Sequence, residues 1–271
     1  MEPIIVTTNF SKLSDNAVLY AASLAKHFNR KLIMFNAFQI PLHASNTLLS
    51  IKSINNMMQN SVATLEKLAK SLKEEFEIEV DYECGYFELE NKVDVLMKKY
   101  NASLLVMGMS DKSLEQNLIG NPTTTLISMK KFPVLAVPIH AKFKGIRKIL
   151  FACDLMKDVP LKTLARLRQI ANGLDSKVTV FYVDEKIDEL KLNAKTISNI
   201  DNELNDVTYL YKNVKSDAII EEIHSQIQES DSELLVMIPK AYGFWESLIH
   251  KSKTRVMASG LNIPLLSIPV K

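Results

Sequence analysis

The sequence predicts an α/β protein made of two tandem, doubly wound parallel-sheet domains, and two observations carry that prediction. The first is that the chain says nearly the same thing twice. Residues 4–9 read Ile-Ile-Val-Thr-Thr-Asn and residues 149–154 read Ile-Leu-Phe-Ala-Cys-Asp, so Asn9 and Asp154 are equivalent positions. Leu104-Leu105-Val106-Met107 returns as Leu234-Leu235-Val236-Met237, and Phe132–Pro138 returns as Ile263–Pro269. A repeat this long is a duplicated globular domain; solenoid periods are roughly 20–50 residues. The second observation is that short apolar runs alternate with amphipathic stretches of helical period, the pattern of a sheet covered by helices on both faces.

In the first half, Pro3–Thr8 is an apolar run of the kind found in strands buried on both faces. A helix follows, for which Ser14 supplies a cap. Ala17, Leu19, Tyr20, Ala22, Leu24 and Ala25 form its sheet-facing stripe, and Asn29 and Arg30 end the pattern. Lys31–Phe38 is predicted as a second strand, Leu48–Phe76 as a long amphipathic helix, Glu77–Glu83 as a third strand, Glu88–Tyr100 as a helix and Ser103–Met107 as a fourth strand. A helix over Thr123–Met129 leads into a closing strand, Val134–Val137. The second half repeats the order: Lys148–Ala152, a helix over Leu161–Ala171, Lys177–Val183, a shorter helical region from Ile187, Thr208–Tyr211, Ala218–Glu229, Leu234–Ile238, a helix ending near Met257, and Leu265–Ile268. The crossovers should be right-handed. Domain 1 is set at residues 1–141 and domain 2 at 146–271, joined by the short basic linker Ala141–Gly145, which should let the domains pack and not swing freely.

Composition bounds the function. At 271 residues the chain can hold two cores. A hydrophobic fraction of 47% and a charged fraction of 24% are ordinary for a globular protein. With 33 basic against 31 acidic residues, the net charge of +2 favours neither nucleic acid nor an anionic membrane. No segment reaches the roughly 20 apolar residues of a membrane span, and the amino terminus lacks a signal peptide's basic start, so a cytoplasmic location is expected. Cys84 and Cys153 lie at unrelated positions and form no CxxC pair, which suggests neither a disulfide framework nor a zinc site.

Among seven glycines and five histidines there is no G-x-x-x-x-G-K-[ST] loop, GxSxG elbow, HExxH pair or GxGxxG fingerprint, so nothing argues for an enzyme. Cys153 stands beside Asp154, whose carboxylate would raise its pKa, and reads as a quiet cysteine.

Val6-Thr7-Thr8-Asn9-Phe10-Ser11, the Leu104–Gly108 strand end, and Gly120-Asn121 opening a helix that feeds Pro133–Pro138 together carry a specific resemblance. Each half resembles a universal stress protein (UspA) domain, and the chain resembles a tandem member over nearly its full length. The resemblance implies a Rossmann-like fold of the UspA/HUP type that binds ATP or a related adenine nucleotide in some members and not in others. It also implies paired domains that meet through their last strands in a pseudo-twofold arrangement, two chains of which could form a homodimer. The protein partner is unknown from sequence, and any catalysis is expected to stop at weak ATP hydrolysis.

ATP-binding members space glycines as G-x2-G-x9-G followed by Ser or Thr, which lets backbone N–H groups wrap phosphate at a helix start. Gly108 matches the first glycine and Gly120 the last, with Asn121 after it. Asp111 stands where the second glycine belongs, and the segment after it is one residue short. A carboxylate about 4 Å from a phosphate charge costs roughly 4 kcal/mol at an effective dielectric of about 20, some thousandfold in affinity, unless Mg²⁺ bridges the two. Asn121 is still a good N-cap, Pro122 suits the first helical position, and Thr123, Thr124 and Thr125 bring hydroxyls. Two readings of this start stay open: a phosphate site, or a neatly begun helix. The candidate nucleotide set is Thr8, Asn9, Ala37, Met107, Gly108, Gly120, Asn121 and Thr123, with no catalytic residue and no protein metal site. Asn9 takes the place of the family's usual acidic residue, either as a ligand contact or as a plain turn residue.

The second half departs further. Asp154 is acidic, but Met237-Ile238-Pro239-Lys240 has no glycine, and His250 replaces Gly120. A conventional ATP site is not expected there. His250, Lys251 and Lys253 read as a solvated basic turn, or else as a site for a different anion. Tyr242, Phe244 and Trp245 read as cover for a vacated cleft or a protein contact. Two function classes follow: a nucleotide-responsive stress protein whose site lies in the first half, and a nucleotide-free interaction module.

Overall fold

Strands and helices alternate through the computed structural model, which describes residues 2–38, 50–86, 89–109, 122–155, 158–184, 193–239 and 261–270. The strands are β1 (Ile4–Thr7), β2 (Leu32–Phe38), β3 (Val80–Tyr86), β4 (Leu104–Met109), β5 (Val134–Pro138), β6 (Lys148–Ala152), β7 (Lys177–Asp184), β8 (Tyr209–Lys215), β9 (Leu234–Met237) and β10 (Leu265–Ser267). The helices are α1 (Lys12–His27), α2 (Ile51–Phe76), α3 (Leu89–Lys99), α4 (Pro122–Ser128), α5 (Leu161–Leu174), α6 (Ala194–Glu203) and α7 (Ile219–Ser230). Every predicted element that falls on described residues is present. The helix expected to end near Met257 lies outside them, as does the start of the region expected from Ile187, whose described helix is α6.

Packing divides the chain into Met1–Met109 and Ser110–Lys271. The sequence repeat divides it at 141–146. The two partitions differ because β5, which closes the first repeat, pairs antiparallel with β10, which closes the second, matching Leu265 with Ala136 and Ser267 with Val134.

In the first unit the strand order is β3-β2-β1-β4, all parallel, with Ile4 opposite both Leu32 and Leu104. In the second it is β5-β10-β9-β6-β7-β8, parallel from β10 to β8, with Ile149 opposite both Val178 and Leu234. The central strands are mostly apolar because helices cover both faces: Ile4, Ile5, Val6, Leu32, Ile33, Met34 and Phe35 are buried, as are Ile149, Leu150 and Phe151.

The repeat is also visible in how helices stop. Asn29 after α1 and Asp175 after α5 both take left-handed backbone, φ 49° and 52°, and so do Asn101 after α3 and Asp231 after α7, φ 47° and 49°. Asn and Asp enter that region more readily than other non-glycine residues, which explains the choice at each stop.

Two local expectations are corrected. The N-cap of α1 is Ser11, and Ser14 is its capping-box partner at the third helical position: Ser14 N–H donates to Ser11 Oγ at 3.3 Å and Ser11 N–H to Ser14 Oγ at 3.0 Å. Leu19 lies outside the buried stripe of α1 and is 45% exposed, whereas Val18 and Ala21 are buried; counting apolar residues made the stripe too wide. The long helix begins at Ile51, where Ser50 Oγ accepts from Ser53 N–H at 3.2 Å.

Candidate functional site

The first unit has a topological switch point. From β1 the chain crosses to β2 on one side and later returns to β4 on the other, so the crevice outside the carboxyl ends of β1 and β4 lies where open α/β sheets take ligands. Register builds it. Val6 pairs with Val106 and Thr7 with Phe35, and continuing each ladder sets Thr8 level with Gly108 and Asn9 level with Ala37.

A network of short polar side chains fixes the turn from β1 into α1. Thr8 N–H donates to Phe35 O at 2.9 Å and Thr8 O accepts from Asn36 Nδ2 at 2.8 Å, tying the residue after β1 to β2 through both its backbone polar groups. Thr8 Oγ1 accepts from Phe10 N–H at 3.0 Å and lies 3.2 Å from Ser14 Oγ. Ser14 Oγ also accepts from Asn9 N–H at 3.3 Å. Asn9 Oδ1 accepts twice from Ser11, from N–H at 3.2 Å and from Oγ at 2.7 Å. Phe10 is held at φ 60°, so the chain turns into the helix within four residues.

On this frame Thr8 and Met107 are buried, Asn9 is exposed, and Ala37 and Gly108 are half-buried. Five of the eight candidate residues therefore gather at one edge of the first unit. Gly120 and Asn121, together with Asp111, lie outside the described residues. Thr123 is buried on α4 in the second unit. Gly108 has a packing reason for lacking a side chain, since a Cβ there would stand 2.7 Å from Leu13 Cγ.

Asn36 is the residue that reading the sequence missed. It is buried in β2, and its Oδ1 accepts from the Cys84 thiol at 3.5 Å while its Nδ2 serves Thr8, so one amide links the ends of β1, β2 and β3. An asparagine inside the apolar run Leu32–Phe38 was the available signal. Burial pushes the Cys84 thiol above its ordinary pKa.

The second repeat fills the same places. Ladder positions make Val183 the counterpart of Ala37 and Ile238 the counterpart of Gly108, and both are buried. Eight residues, Cys153–Pro160, connect β6 to α5, where four connect β1 to α1, and Pro160 caps α5 without a side-chain hydrogen bond. Asp154 is half-buried at the end of β6. His250, Lys251, Lys253, Tyr242, Phe244 and Trp245 lie outside the described residues. Among the described residues no group of three or more His, Cys, Asp or Glu could hold a metal ion, and no helix is long and apolar enough to cross a membrane.

Solved structures with the same architecture include a universal stress protein from Archaeoglobus fulgidus DSM 4304, 13% identical with a TM-score of 0.73, covering 99% of this chain and 98% of that one. A functionally unknown protein from Pseudomonas aeruginosa PAO1 is 15% identical with a TM-score of 0.59, covering 100% and 93%. The cytoplasmic domain of a prokaryotic cation chloride cotransporter is 10% identical with a TM-score of 0.52, covering 99% and 96%. No curated protein sequence matches significantly. The sequence profile of the universal stress protein family matches residues 1–138, the first repeat, and the chain belongs to that family.

Proposed function

We propose that this protein is a cytoplasmic stress-response protein, working as a homodimer, that binds ATP or a related adenine nucleotide in its first repeat and changes assembly or partner choice when it does. The observation that carries this reading is the contrast between the two switch points. The first repeat keeps small, partly open residues, Ala37 and Gly108, beside an exposed Asn9, whereas the second places buried Val183 and Ile238 at the matching positions. An adenine ring needs a site that backbone can line closely, and at these matching positions the smaller side chains are those of the first repeat.

The residues present fit such a ligand. Ala37 and Gly108 would flank the base or ribose with little side chain of their own, and Asn9 would hydrogen-bond it. Thr8 and Met107 would hold the strand ends that line the slot. The sequence pattern of the family, Gly120-Asn121 followed by Thr123, is what assigns the phosphate to those residues in the proposal. When bound, the nucleotide supplies charge and an ordering contact. No catalytic step is proposed.

Equilibrium binding of ATP to nucleotide-stripped protein, with and without Mg²⁺, tests the reading. Saturation at one site per chain is expected, with binding abolished by Gly120→Asp in a protein that keeps its circular dichroism. No binding at millimolar ATP would leave the second reading, a nucleotide-free interaction module. That reading is favoured by the packing of Gly108 on Leu13, which accounts for the glycine without a ligand. The melting temperature separates the two as well. A ligand at 100 times its Kd adds about 2.7 kcal/mol, and a scaffold gains nothing.

A further inference from the structure

Two tyrosines of β8, an outer strand of the second unit, meet on one carboxylate. Tyr209 Oη and Tyr211 Oη donate to the same oxygen of Asp201 on α6, Oδ1, at 2.7 Å and 2.9 Å. The rings stand perpendicular, with planes at 87° and centroids 5.8 Å apart, so one lays its edge on the other and keeps both of its own faces free of its neighbour. Both rings are half-buried, and Asp201 is exposed. Burial, and then the hydrogen bond to Asp201, push the Tyr211 phenol well above its ordinary pKa, which keeps it a donor.

Asp201 is left with an open oxygen. Both phenols use Oδ1, and Oδ2 has no partner among the described residues. The residues three and four positions away along the chain are Ile197, Ser198, Leu204 and Asn205, none of them a cation. The charged groups of the neighbouring elements are engaged elsewhere: Lys195 lies 3.8 Å from Asp158, Arg168 lies 3.3 Å from Glu203, Lys212 lies 2.6 Å from Glu229, and Asp206 accepts from Asn172 at 2.9 Å. The sheet does not require the tyrosine pair, because ladder positions give the first repeat Val80 and Tyr82 where the second has Tyr209 and Tyr211.

We infer that Asp201, Tyr209 and Tyr211 form a binding site for an alkylammonium group on the outer strand of the second repeat. The carboxylate supplies the charge and one acceptor, and the two phenols fix its direction. A tyrosine face attracts a cation, and the ring carbons cover the alkyl groups that the ammonium carries. Hydrogen-bond capacity selects among cations. A guanidinium makes its best contact with both carboxylate oxygens at once, and here one of them already holds two donors; an ammonium N–H needs only Oδ2. A tetraalkylammonium has no N–H to give, and a sodium ion has no alkyl group for the rings to cover. This site is independent of the nucleotide reading of the first repeat.

The experiment is a titration of the full chain, carrying isotope-labelled tyrosine, followed by the ring signals of Tyr209 and Tyr211 and assigned with Tyr209→Phe and Tyr211→Phe. The probes are butylammonium, Nα-acetyl-lysine amide, guanidinium, tetramethylammonium and sodium, all as chlorides at one ionic strength. Butylammonium should shift both rings saturably in the millimolar range, guanidinium and tetramethylammonium should bind about threefold more weakly or worse, and sodium should leave the rings unmoved. Equal affinity for the lysine amide points to a free amine as the natural ligand, tighter binding to a lysine side chain, and either supports the site.

Asp201→Asn isolates the charge, since its amide oxygen still accepts from both phenols and the strand stays clipped to α6. Binding should fall about tenfold or more in that variant, and about threefold or more in Tyr209→Leu, which removes a ring. Unchanged butylammonium binding in Asp201→Asn would overturn the inference, because the rings alone would then account for it. So would an equal response to sodium, or no saturable shift in wild type, either of which would leave the tyrosines as a clip between β8 and α6.

Discussion

Gly108 and Leu13 are packed so closely that a Cβ on the glycine would stand 2.7 Å from Cγ of Leu13 and 3.0 Å from its carbonyl oxygen. The contact joins the end of β4 to the first turn of α1 and follows from the four-residue connection between β1 and α1, which brings the helix start over the neighbouring strand. In the second repeat the matching connection has eight residues, and the matching position holds a buried Ile238. Loop length and residue size have changed together.

Gly108→Ala should therefore cost about 1–3 kcal/mol in urea unfolding, the range for forcing an extra methyl into a packed contact. The Leu13 side chain can rotate away, but its carbonyl cannot. Adding Leu13→Ala to Gly108→Ala should recover part of the loss and not all of it. Full recovery would place the whole conflict in the side chain.

The two repeats hold one ion pair with its charges exchanged. Glu83 on β3 pairs with Lys99 on α3, and at the matching positions Lys212 on β8 pairs with Glu229 on α7 at 2.6 Å. The first pair is more embedded: Glu83 also accepts from Tyr100 Oη at 2.5 Å and lies 3.7 Å from Lys92. Glu83→Lys should cost about 1–2 kcal/mol, because it removes the acceptor of Tyr100 and sets three lysines together. Adding Lys99→Glu should recover only part of that, since Tyr100 and Lys92 still face the wrong charge. The double exchange Lys212→Glu with Glu229→Lys should stay within about 0.5 kcal/mol of wild type, as suits an exposed pair. Double-mutant cycles on both repeats decide it.

Glu83 also makes acid stability predictable in sign. Burial alone would push its carboxyl up, but hydrogen bonds from Lys99 and Tyr100, with the charges of Lys99 and Lys92, outweigh burial and hold it below the ordinary value of 4.5. A folded-state pKa below the unfolded one gives stability that is complete above pH 4.5 and is lost as pH falls through the folded value. Glu83→Gln should thus be less stable than wild type at pH 7, and the gap should narrow steadily below pH 4.5. A gap that stays constant down to pH 3 would show that the carboxylate's charge contributes nothing.

Much of this was legible in the sequence because both signals were strong: apolar runs for buried parallel strands, and a second copy to check each element against. Asn29 marks the end of α1 in the sequence, and the left-handed backbone of Asp175, Asn101 and Asp231 shows the same stop at three further helices. Side-chain partnerships were less legible. Ser14 reads as a cap, but the capping box makes it the partner of Ser11. Leu19 reads as core because apolar character alone does not say which side of α1 meets the sheet. Gly108 reads as a phosphate-loop glycine, and only distances reveal Leu13 beneath it. Asn36 went unmarked because its use depends on Thr8 and Cys84, 28 and 48 residues away in the chain.

Asn36 holds the turn that presents Asn9, so its replacement should be felt in both stability and binding. Asn36→Ala leaves the buried Thr8 carbonyl without its side-chain donor and should cost about 1–3 kcal/mol. Asn36→Asp should cost more, because it removes the same donor and places an oxygen against an oxygen in a buried site. ATP affinity measured well below the melting temperature should fall in both variants. Unchanged affinity would mean that the turn keeps its shape without this link.

The second repeat should contribute no nucleotide site, for a reason of volume that can be tested directly. Val183 and Ile238 are buried where the first repeat has Ala37 and Gly108, so their side chains belong to the core of their own repeat and add bulk at those positions. Ile238→Ala should cost about 2–5 kcal/mol, as expected for truncating a buried isoleucine, and leave the stoichiometry at one nucleotide per chain. Placing bulk in the first repeat with Ala37→Val should do the reverse: little loss of stability, because Ala37 is only half-buried, and a marked fall in ATP affinity. If Ala37→Val binds ATP as wild type does, the base does not sit against Ala37, and the contrast between the repeats reflects packing alone.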